Sequence, residues 1–83
     1  MKNFNKNQKE RVEVMALFGY EMTPCQPLSF RRQGEDETEV TELLSTQIRF
    51  ASGVALHIFD VLVGRDRVRL EFNSSNLVWS LTQ

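Results

Sequence analysis

The run from His57 to Phe72 constrains this chain more than any other stretch. An apolar segment, Ile58 to Val63 broken only by Asp60, enters Gly64-Arg65-Asp66, and Val68, Leu70 and Phe72 leave at alternate positions. Arg67, Arg69 and Glu71 fill the places between them. A period of two about a glycine-bearing turn is the signature of a β-hairpin with one face toward a core and the other toward water. A third run, Leu77-Val78-Trp79-Ser80-Leu81, follows the turn-forming Asn73-Ser74-Ser75-Asn76. Its parity places Leu77, Trp79 and Leu81 on one side. Direct antiparallel pairing then gathers Leu70, Phe72, Trp79 and Leu81 into one cluster.

The incoming strand is apolar on both sides. Leu56, Ile58 and Leu62 share one parity, while Phe59, Val61 and Val63 share the other with His57. A half-exposed antiparallel strand alternates, so a strand of this kind asks for cover twice. Either the sheet curls and Val12, Val14 and Phe18 supply the second cover, or another copy of the chain does. A chain of 83 residues builds only a small core and gains most from association, so we expect a homodimer.

The remaining chain divides at its turn signals. Residues 1–9 are rich in Asn and Lys and read as a mobile tail, with one domain over 10–83. Arg11 to Phe18 forms a first strand or a short helix ended by Gly19, since either period fits. Two prolines in Thr23-Pro24-Cys25-Gln26-Pro27 restrict that segment to a loop or a sheet edge. Leu28 to Arg32 alternates as a strand does, and Gln33-Gly34-Glu35-Asp36 turns the chain. Over 37–50, Val40, Leu43, Leu44, Gln47 and Ile48 suit a helix face, with Asp36 and Glu39 imitating a capping box. The β-branched Thr38, Val40, Thr41, Thr46 and Ile48 argue the other way, and a bulge would repair the alternation. We take Glu39 to Ile48 as extended. The expected fold is all-β: a five- to six-stranded antiparallel meander forming a curled sheet, barrel or sandwich. A helix at 37–50 would instead give an α+β domain.

Ten basic against eleven acidic residues leave a formal net charge of −1, and such a balance sets up no global field for nucleic acid or anionic membrane. No apolar run approaches the roughly 20 residues of a membrane helix. The single cysteine forms no internal disulfide and fits a reducing compartment, so we expect a cytoplasmic protein.

Phe30-Arg31-Arg32-Gln33-Gly34, Glu39-Val40-Thr41-Glu42-Leu43, Arg69-Leu70-Glu71-Phe72 and Val78-Trp79-Ser80-Leu81 together resemble a family of small bacterial β domains of unknown function, found alone or near Y-family DNA polymerases. The resemblance covers residues 28–82. It implies a six-stranded meander and a link to DNA maintenance, and it supplies no catalytic residues.

The residues offer little chemistry. His57 is the only histidine, so one chain contains no His dyad and no multi-His metal site. Cys25 has no cationic sequence neighbour to activate it. The acids from Glu35 to Glu42 lack the spacing and the glycine of a calcium loop, and no phosphate-binding or nucleophile motif is present. We therefore expect no enzyme, no cofactor and no metal. Arg31, Arg32, Arg49, Arg65, Arg67 and Arg69 lie on or beside expected strands and could form a guanidinium ladder for phosphates. Alternatively, they pair with Glu39, Glu42 and Glu71 across strands. The expected function is a protein-interaction or assembly module, with a nucleic-acid-associated accessory domain as the alternative and an enzyme third.

Overall fold

The strand entering the central turn is Val54–Val63 and the strand leaving it is Asp66–Asn73. They are joined by the two-residue turn Gly64-Arg65, with Val63 opposite Asp66. In chain order the computed structural model, which describes residues 9–20 and 23–83, contains β1 (Glu10–Tyr20), β2 (Thr23–Arg31), β3 (Glu37–Glu39), β4 (Glu42–Ala51), β5 (Val54–Val63), β6 (Asp66–Asn73) and β7 (Val78–Thr82). Of the tail expected over residues 1–9, only Lys9 falls within the described residues. All neighbours pair antiparallel, in the order β3-β2-β1-β7-β6-β5-β4, and the sheet curls into a half-barrel. The described residues contain no helix, and the segment 37–50 is extended.

One more strand is present than the highest number expected, because 37–50 breaks at Val40-Thr41. The reason lies in the backbone hydrogen bonds. Val40 N–H donates to Leu28 O on β2 at 2.9 Å, and Thr41 N–H donates to Leu62 O on β5 at 2.8 Å. Two consecutive peptide groups thus tie β2 to β5, the strands next to the two margins of the sheet. The Thr41 hydroxyl strengthens the tie by donating to Leu62 O at 2.8 Å and accepting from Gly64 N–H at 3.1 Å. One end of the half-barrel is drawn closed here, and a single unbroken strand could not serve both β2 and β5.

Curling covers the Phe59 and Val61 face of β5. Phe59 and Val61 share a buried core with Val12, Phe30, Val68, Leu70, Phe72, Trp79 and Leu81, with Val14 packed against them. The register builds this core in cross-strand rows. One runs Ile48–His57–Phe72–Trp79–Val12, and the next runs Thr46–Phe59–Leu70–Leu81–Glu10. Trp79 lies against Phe72 and Phe59 with ring centroids 4.8 and 5.7 Å away. The expected cluster of Leu70, Phe72, Trp79 and Leu81 therefore forms, with Phe72 opposite Trp79 and Leu70 opposite Leu81. Ile58, on the opposite parity, is also buried, at 1 % exposure.

Two local expectations need correction, and a third resolves to one of its alternatives. The proline segment is the sheet edge rather than the loop: β2 begins at Thr23 and carries both prolines. The three-residue β3 pairs only with Ser29 to Arg31, so residues 23–27 have β1 alone as a ladder neighbour. An edge stretch of this kind has no second ladder that needs the missing N–H groups. Gly19 does not end β1, which passes through it at φ 77° and continues to Tyr20. Leu77 does not share the inward parity of Trp79. It closes the 74–77 turn at φ 61°, donates its N–H to Asn73 O, and is 72 % exposed.

Candidate interaction surface

The candidate residues Cys25 and His57 lie in different surroundings. Among the described residues no group of three His, Cys, Asp or Glu side chains could hold a metal ion. Cys25 is buried on β2 opposite Phe18, and burial pushes its thiol up, away from the thiolate that a nucleophile requires. His57 sits in the inner row beside Phe72, ring centroids 6.0 Å apart, and its buried Nδ1 has no hydrogen-bond partner among the described residues.

The six candidate arginines are spread over the molecule. Arg31 pairs with Glu13 on β1, and Arg32 holds Glu10 through Nε at 3.0 Å and Nη2 at 2.7 Å. Both line an open groove of about 920 Å³ where β1 parts from β7. Arg67 and Arg69 project from the outer face of β6. Arg69 donates to Asp60 at 2.9 Å, a bond that holds the Asp60 carboxyl below its usual range. Arg49 is on β4 opposite Leu56, and Arg65 is in the β5–β6 turn. Arg31, Arg32 and Arg69 are thus matched by acids, although the partners are Glu13, Glu10 and Asp60 rather than Glu39, Glu42 and Glu71. Alternation puts strand neighbours on opposite faces, so parity alone could not say which acid each arginine would meet.

The inner face of the sheet also carries exposed apolar side chains. The inner row through Trp79, Phe72 and His57 continues onto β4 at Ile48, with Phe50 two residues further on the same face. Ile48 is 52 % and Phe50 75 % exposed. Phe18, expected to cover the core, touches Phe72 edge-on at 5.9 Å yet remains 58 % exposed. Phe18, Phe72, His57, Ile48 and Phe50 therefore form a continuous apolar band. It leads from the core to β4, a ten-residue strand at the margin of the sheet. Alternation over 37–50 shows these residues sharing a face. It does not show that the strand lies at an edge, where that face has nothing to pack against. The signal in the sequence was a surplus of apolar strand positions over what so short a chain can bury.

No protein-family model, curated protein or solved structure matches the chain.

Proposed function

We propose that this chain is a protein-interaction module that engages another polypeptide along β4 and the apolar band beside it, and that it carries no catalytic activity of its own. The exposure of Phe50 and Ile48 at an open sheet edge supports this most directly. Fully burying a side chain of this size contributes about 1.5–3 kcal/mol, which a partner strand would recover together with main-chain hydrogen bonds. A nucleic-acid interface fits less well, because Arg31, Arg32 and Arg69 are already matched by carboxylates and the net charge is −1. The test is a photoreactive phenylalanine analogue at position 50, irradiated in cells that express the chain. Adducts with polypeptide are expected. Adducts with nucleic acid alone, or none, would overturn the proposal.

A further inference from the structure

We propose that the strand seated on β4 is the β4 of a second copy of this chain, running antiparallel about a twofold axis at Thr46. This deepens the reading of β4 as an interaction edge and rests on it. The argument starts at the turn Ser52-Gly53, where both residues have positive φ, 52° and 78°. Such a two-residue turn is flanked by a pair that exchanges both backbone hydrogen bonds, here Ala51 and Val54. Counting back, Arg49, Gln47 and Ser45 also spend their backbone groups on β5. Phe50, Ile48 and Thr46 then present free N–H and C=O groups outward, with their side chains on the apolar inner face.

A twofold antiparallel pair sets residues of the same face opposite each other, so only a few registers are open. Charge selects among them. β4 carries a bulge at Leu43-Leu44-Ser45, where Leu44 is the extra residue, and this shifts Glu42 by one place. With Thr46 opposite the partner's Thr46, Glu42 comes opposite the partner's Arg49 on the outer face, twice per dimer. Ser45 faces the partner's Gln47, and the half-buried Leu43 and Leu44 face the partner's Ile48. Centring on Ser45, Gln47 or Ile48 leaves Glu42 away from the partner's Arg49. Within one copy neither Glu42 nor Arg49 has an ion pair among the described residues, whereas Arg31, Arg32 and Arg69 all do.

Edges are ordinarily protected by lysine, proline, shortness, bulges or inward charges. β4 is ten residues long and has neither lysine nor proline, and its bulge at Leu43–Ser45 leaves the ladder regular from Ser45 to Ala51. The opposite margin differs: β3 is Glu37-Thr38-Glu39, and pairing with itself would set acid against acid. The two edges thus carry opposite instructions, one open to self-pairing and one closed to it.

The test measures mass by sedimentation equilibrium across micromolar concentrations for the wild type, Glu42→Arg, Arg49→Glu and the double exchange. Glu42 and Arg49 are exposed, so each variant should keep the wild-type far-UV circular dichroism. A wild-type dimer is expected, weakened at least tenfold by either single change and restored by the double. In Thr46→Cys, oxidation should link two chains, while the buried Cys25 stays silent. A clean wild-type monomer, a dimer indifferent to both charge reversals, or no link through position 46 would each overturn self-pairing. Should the wild type be monomeric while position 50 still crosslinks to a different polypeptide, the interaction-module reading stands and only the second copy is wrong.

Discussion

Replacing Trp79 with alanine tests the construction of the core at its centre. Trp79 is 7 % exposed and lies between Val12 and Phe72 in its row, with its ring against Phe72 and Phe59. Truncating a buried Trp costs about 3–5 kcal/mol, and the lost aromatic contacts account for part of the upper range. A chain of 83 residues at roughly 0.05–0.15 kcal/mol per residue has about 4–12 kcal/mol of net stability. The change therefore removes between a quarter and all of it. A domain of this size loses about 4–8 °C of melting temperature per kcal/mol, so Trp79→Ala should melt at least about 12 °C lower or be unfolded at room temperature. Trp79 is the only tryptophan, and its fluorescence disappears with it, so urea and thermal unfolding should be followed by far-UV circular dichroism. Trp79→Phe, which keeps an aromatic ring against Phe72, should recover most of the loss. A melting temperature within about 4 °C of wild type for Trp79→Ala, a shift worth no more than about 1 kcal/mol, would refute the claim that this row holds the half-barrel together.

Two further outcomes follow from local geometry. Leu77 holds a left-handed backbone at φ 61° while 72 % exposed; a β-carbon there costs about 1–2 kcal/mol, and asparagine tolerates the region better, so Leu77→Asn should raise the urea midpoint by the equivalent of about 0.5–1 kcal/mol, and a lowered midpoint would show that Leu77 packs usefully. The Asp60 carboxyl is held below its unfolded value by the Arg69 hydrogen bond, with the Ser45 hydroxyl adding to it. Its contribution is therefore complete above the unfolded pKa of about 3.9 and lost as pH falls through the lower folded value. Because Arg69 is substantially exposed, the pair contributes no more than about 1 kcal/mol; Asp60→Asn should lower stability at pH 7 by that amount and flatten its decline below pH 4, and an unchanged decline would assign the acid sensitivity to other carboxylates.

Local pattern settled the strands and faces of the hairpin Val54–Val63/Asp66–Asn73 and the inward side of Trp79 and Leu81. Val68, Leu70 and Phe72 alternate because a pleated strand turns successive side chains to opposite faces, and the short turns at Gly64-Arg65 and 74–77 leave antiparallel pairing as the only short route back. The two-sided β5 announced that the sheet must be covered twice. Three matters lay beyond any local pattern. The pairing of β1 with β7 joins residues some 70 positions apart through Glu10, Arg11 and Val12, and no periodicity names a partner at that distance. The break at Val40-Thr41 follows from the hydrogen bonds that close the half-barrel end, which exist only once both margins have curled together. The exposure of Ile48 and Phe50 has the same origin. Their alternation is that of a half-buried strand, and only the position of β4 at the margin of the sheet leaves that face open. Side-chain period is a property of one strand, whereas edge or centre is a property of the whole sheet.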